Sequence, residues 1–179
     1  MQDTRSMTLA ALFAALTALG AFLQIPLGFT SITLQFLFTA LAGILLGPKW
    51  GAISQGVYVA LGLVGLPIFT QGGGLGYVLK PSFGFLLGLI PCAALVGWLA
   101  GDRGEPKRVI PACLAGLAVL YLVGVPYMGV VLNLYLGKGL SVGELVRMGM
   151  LVYLPGDMVK VAVVGLAAPA LRKRLNHQS

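Results

Sequence analysis

Tyr153-Leu154-Pro155-Gly156-Asp157-Met158-Val159-Lys160 decides the reading of this chain, because it sets an acid and a base inside an apolar run long enough to cross a membrane. Between positions 148 and 170 no other residue is charged. On a helix Asp157 and Lys160 share a face at i,i+3. A single charge near the bilayer centre costs roughly 2.5–3.5 kcal/mol on the insertion scale, so intramembrane charges pair and face an interior or a pathway. The pair is therefore the leading site candidate; the alternative is an ion pair that locks this span to a neighbour and touches no solute. Pro155 removes a backbone donor and Gly156 loosens the turn, which frees carbonyls one turn earlier into a protein-lined cavity. Broken helices near the midplane are where transporters commonly hold solutes.

Composition agrees. Of 179 residues 58% are hydrophobic and 9% charged, and the mean hydropathy is +0.95; this is an all-α integral membrane protein. The 26 glycines suit close helix packing in lipid. The net charge of +7 does not point to nucleic acid, since the basic residues sit in short loops and at the C-terminus, as membrane topology requires. Cys92 and Cys113 lie in apolar segments and read as small buried hydrophobes. The single histidine, His177, lies in a polar tail, so no metal site is implied, and no nucleophile–base–orienter set exists.

Six spans are expected within one membrane domain, at about 7–25, 34–47, 51–66, 81–100, 109–132 and 148–171. In the first, Ala10, Ala14 and Ala18 recur every four residues with Ala11 and Ala15 beside them, a smooth ridge that either docks another protein or packs within the chain. The second is short for a ~30 Å core and needs tilt, thinning or re-entry. Pro126 predicts a kink or an early end to the fifth. Gln35 and Gln55, inside the second and third spans, serve equally well to bond a neighbouring helix or to touch a solute. Segments 26–33 and 137–147 read as loops.

The 67–77 loop is aromatic and glycine-rich and carries no charge, so it has no need to project into water. Its glycines leave backbone donors uncovered, and Phe69 and Tyr77 can stack on an apolar or planar solute, unless the segment is a linker folded onto the helix ends. It is not a nucleotide loop, because G-x-x-x-x-G-K-[ST] is absent.

With both termini cytoplasmic, the inside carries Arg5, Lys49, Arg103, Lys107, Arg108, Arg172, Lys173 and Arg174, against Lys80, Lys138 and Arg147 outside, a positive-inside bias of eight to three. The loops at 26–33, 67–79 and 137–147 then share the outer face, with Asp157 about 14 Å below it by helix rise. Asp157 offers acceptors to N–H groups and Lys160 donors to a carbonyl oxygen, a match for a urea or amide on an apolar body.

Several stretches in order resemble the BioY family, the biotin-specific S components of energy-coupling-factor (ECF) transporters, over essentially the full length. They are Ile25-Pro26-Leu27-Gly28 through Ile32-Thr33-Leu34-Gln35, Leu41-Ala42-Gly43-Ile44-Leu45-Leu46-Gly47 on to Gly51, Gly65-Leu66-Pro67-Ile68-Phe69 with Gly72-Gly73-Gly74, Pro81-Ser82-Phe83-Gly84-Phe85, and Leu154-Pro155-Gly156-Asp157 with Lys160. The chain departs from the family at Phe29-Thr30-Ser31, where a Val-Pro type approach to Ile32 is usual.

The resemblance implies the ECF S-component fold and a subunit that is not an enzyme: it captures biotin in an outward-facing cavity of a bacterial or archaeal cell membrane, with no cofactor. It also implies partners, a membrane-embedded T component and two cytoplasmic ATPase subunits. By the same resemblance the ureido-binding acid and base fall on Asp157 and Lys160, loop contacts fall on 72–77, and the T-component contact falls on the alanine ridge. The expected substrate-binding set is Asp157, Lys160, Tyr153, Gly73, Gly74, Tyr77, Phe69 and Gln35. An S component for another vitamin, or a membrane structural protein without a solute, are the alternatives.

Overall fold

The computed structural model describes residues 2–101 and 105–176; Asp102, Arg103 and His177 lie outside the described residues. Helix α1 (Gln2–Phe22) leads into strands β1 (Gln24–Leu27) and β2 (Thr30–Thr33), followed by α2 (Gln35–Leu63) and a short 3-10 turn at Leu75–Leu79. Then come α3 (Phe83–Ala100), α4 (Pro106–Val130), a π-helical turn at Val131–Tyr135, the short α5 (Val142–Val146), a second π turn at Arg147–Leu151, and α6 (Leu154–Asn176).

Among the described residues five helical segments are long and apolar enough to cross a membrane, not the six separate transmembrane helices expected. The expected spans 34–47 and 51–66 belong to one element, α2, broken at Gly47, whose φ of 81° is open to glycine and rare for other residues. The chain folds back there. A Cβ on Gly51 would lie 2.7 Å from the Cα of Gly43, and Thr39 meets Gln55 and Gln35 meets Tyr58 in hydrogen bonds between the arms. At ~1.5 Å per residue the arms 35–46 and 48–63 reach only about 18 and 24 Å, so neither has the length of a full span across a ~30 Å core.

Glycines permit the close packing that holds lipid-embedded helices together. A Cβ on Gly43 would lie 2.3 Å from the carbonyl oxygen of Ala93 in α3, and one on Gly84 would lie 2.3 Å from Tyr127 of α4. The interface of α1 with α2 holds a fully buried polar knot: Thr39 donates to Gln55 Oε1 at 3.0 Å, and Gln55 Nε2 donates to Thr17 at 3.3 Å and Ser54 at 3.4 Å. Gln55 thus proves to be an interhelical bond.

The segment expected as a loop at 26–33 is mostly a β-hairpin, pairing Gln24 with Thr33 and Leu27 with Thr30 across Gly28 and Phe29. Pro126 does not end α4, which runs to Val130 and passes into the π turn. The connection at 137–147 contains α5, capped by Ser141 and Glu144. The last expected span divides at 151–154. Pro155 is tolerated because it stands in the first turn of α6, where its missing N–H has no intrahelical partner to lose.

Candidate functional site

The division before α6 places Asp157 in that helix's first turn, where the helix dipole favours a carboxylate. Asp157 is only 4% exposed and Lys160 8%. Lys160 Nζ donates to Asp157 Oδ1 and, at 2.8 Å, to the carbonyl of Thr33 in β2. Tyr121 of α4 donates its hydroxyl proton to Asp157 Oδ2. The pair is thus neutralised and fastened to a strand on one side and a helix on the other.

Above this clamp opens a cavity with about 640 Å³ of atom-free space, part of it open to solvent. Its polar lining is built from Thr30, Ser31 and Thr33 of β2 with Gln35, Thr70, Tyr77, Ser82 and Tyr153. Tyr153 shares a hydrogen bond with Thr30, and the Tyr77 hydroxyl bonds Thr70 at 2.9 Å and accepts from Ser82 at 3.2 Å. Phe36 of α2, Phe85, Leu86 and Leu89 of α3 and Leu120 of α4 supply the apolar walls.

Counting donors and acceptors shows what the clamp can still bind. A carboxylate has about four lone-pair sites and an ammonium three protons. Lys160 and Tyr121 occupy two of the former, and Asp157 and Thr33 take two of the latter. One ammonium proton remains for a carbonyl oxygen, and carboxylate lone pairs remain for N–H groups. The edge of a urea or cyclic amide presents that combination, and the walls suit an apolar body.

Of the expected set, Asp157, Lys160, Tyr153, Tyr77 and Gln35 line one cavity; Phe69, Gly73 and Gly74 do not. Phe69 is buried behind the wall, edge-on to Tyr58 with ring centroids 5.5 Å apart and tilted on Tyr77 at 4.6 Å. It fills the space over Gly62, where a Cβ would lie 2.0 Å from its ring. Gly74 donates its N–H to Gly62 O at 2.7 Å, and a Cβ on Gly73 would strike Leu66 O at 2.1 Å. These residues hold the loop against α2.

Sequence reasoning missed Tyr121, Thr30, Thr33, Thr70 and Ser82. For Thr30, Thr33, Thr70 and Ser82 the available signal was a hydroxyl side chain flanking an uncharged apolar segment; Tyr121, inside α4, offered none. The alanine ridge divides: Ala10, Ala14 and Ala18 are buried within the chain, while Ala11 and Ala15 are exposed. Burial of the first three fits the alternative of packing within the chain.

Residues 1–177 match the BioY family. The chain is 43% identical to a probable biotin transporter BioY of Lysinibacillus sphaericus over 96% of this chain and 89% of that protein. It is 34% identical to the biotin transporter BioY of Thermotoga maritima over 94% and 96%. The crystal structure of the S-component for biotin from an ECF-type ABC transporter superposes with a TM-score of 0.71 at 30% identity, over 96% of this chain and 93% of that one. The buried acid–base clamp thus sits in a chain that belongs to the BioY family.

Proposed function

We propose that this multi-pass membrane protein is the substrate-capture subunit of an ECF-type biotin uptake transporter, a solute-binding and non-catalytic component. The observation that carries the reading is the Asp157–Lys160–Tyr121 clamp at the floor of an apolar cavity in a BioY family member. The ureido ring of biotin is a urea edge with two N–H groups and one carbonyl, matching the carboxylate lone pairs and the single remaining Lys160 proton. Its thiophane ring and valeryl chain suit Phe36, Phe85, Leu86 and Leu89.

Charge supports capture from outside. Lys49 adjoins the α2 bend, Lys107 and Arg108 open α4, and Arg172 donates to Gly101 O at 2.7 Å, all at the end away from the cavity. That end carries the positive charge typical of the cytoplasmic side.

ECF S components work with a T component and ATPase subunits that supply the energy. The T-component contact on this chain is assigned to the Ala11 and Ala15 face of α1, because those two alanines remain exposed. Equilibrium binding of labelled biotin to the purified chain tests the reading. Saturable binding, competed by unlabelled biotin and not by riboflavin or thiamine, is expected. Competition by another vitamin in place of biotin would assign a different S component, and absence of any saturable binding would leave a structural membrane protein.

A further inference from the structure

Tyr58, on the second arm of α2, is fully buried and does not line the cavity. Its hydroxyl nonetheless stands between the 64–74 loop and the cavity wall. It donates to the carbonyl of Ile68 at 3.1 Å and accepts from Gln35 Nε2 at 2.9 Å.

The polarity of this chain of bonds is forced. A backbone carbonyl only accepts, so the single phenolic proton is committed to Ile68, and the remaining lone pairs are met only by a donor. The Gln35 amide therefore turns its nitrogen to Tyr58 and its oxygen toward Thr33, whose hydroxyl donates to Oε1 at 3.0 Å. That hydroxyl is held from behind by the Gln35 backbone N–H at 3.3 Å, and the Thr33 carbonyl is the second acceptor of Lys160. Gln35, Thr33 and Lys160 all line the cavity, while Tyr58 alone among these linked side chains stands behind it.

We propose that Tyr58 is a positioning residue for substrate recognition: acting through Gln35, it fixes the amide so that this wall presents an acceptor, and so selects a ligand N–H over an N-alkyl group. The inference rests on the biotin-capture reading above. An amide released from Tyr58 can turn over, exchanging acceptor for donor at little steric cost, and the selection is then lost. The Tyr58 ring also packs on Phe69, so replacement by phenylalanine keeps the packing and removes only the hydroxyl.

The test is a double-mutant cycle of Tyr58→Phe and Gln35→Leu, with wild type, both single variants and the double variant purified and titrated with biotin and with its two mono-N-methyl ureido analogues. Wild type is expected to prefer biotin strongly over at least one analogue. Tyr58→Phe should lower biotin affinity about tenfold and narrow that preference by a similar factor, the scale of one buried hydrogen bond. In the Gln35→Leu background the same change should shift affinity less than about twofold, because the two residues act as a unit. A loss equal for all three ligands, a loss of the same size with and without Gln35, or no loss overturns the proposal.

Should Tyr58→Phe yield no monodisperse protein, hydrogen exchange of the Gln35 side-chain amide in wild type decides, its signal assigned by its disappearance in Gln35→Leu. Protection of its proton to Tyr58 supports the assignment, and rapid exchange of both amide protons overturns it. Wild type that binds no biotin refutes the functional reading, and this inference falls with it; intact wild-type binding with an additive cycle refutes the inference alone.

Discussion

Replacing Asp157 by asparagine or Lys160 by methionine strands the surviving partner in a cavity floor where both side chains are almost wholly buried. After Asp157→Asn the ammonium keeps the Thr33 carbonyl and loses its counter-charge; after Lys160→Met the carboxylate keeps only the Tyr121 hydroxyl. Truncating one member of a buried, hydrogen-bonded charge pair in an interface costs roughly 2–5 kcal/mol, which at 1.4 kcal/mol per decade is about thirtyfold to a few thousandfold in Kd. The structure sharpens this into an asymmetry. The asparagine of Asp157→Asn retains an acceptor for a ligand N–H, whereas the thioether of Lys160→Met offers no donor to the ligand carbonyl and leaves the carboxylate without a cation. Lys160→Met should be the more damaging change, and the double variant should lose less than the sum of the two, since each single change exposes the other's cost. The assay is equilibrium binding of labelled biotin alongside the yield of monodisperse protein. If both single variants bind within about threefold of wild type, the pair is a structural ion pair and the reasoning fails.

The two faces of α1 predict a separation of effects. Ala14→Leu overfills an internal contact and should destabilise the protein by about 1–3 kcal/mol, read as a lowered Tm. Ala15→Leu should leave stability and biotin binding intact while reducing co-purification with the T component and energised uptake; normal complex formation by Ala15→Leu would remove that face from the interface. Gly62→Ala drives a methyl into the Phe69 ring, so it should expel Phe69, disturb Tyr77 at the cavity wall and lower both Tm and biotin affinity. Gly76→Ala, with open space around it, is the control, and equal behaviour of the two variants would contradict the packing argument.

The clamp was legible because charge in an apolar run is costly, and Asp157 and Lys160 have no competitor in theirs. Pro155 likewise stands at a real break, in the first turn of α6, the position where a proline is tolerated. Gln35 and Gln55 were indistinguishable in sequence; only tertiary packing sends one to the cavity rim and the other into a knot with Thr17, Thr39 and Ser54. The folded-back α2 was hidden because hydropathy reports apolar length and not direction, and the reversal depends on a single backbone conformation at Gly47. Tyr121 carried no local signal: its partner lies 36 positions away on another helix. The alanine ridge was ambiguous because i,i+4 spacing describes adjacent faces equally well and does not say which one the rest of the chain covers.

A crystal structure of the purified chain with biotin bound tests the central claim most directly. The account predicts the ureido ring at the cavity floor, its carbonyl oxygen about 3 Å from Lys160 Nζ and an N–H within hydrogen-bond distance of the Asp157 carboxylate. Biotin seated instead in the second cavity, lined by Gly28, Lys80 and Tyr135, with no ligand atom touching Asp157 or Lys160, would contradict it.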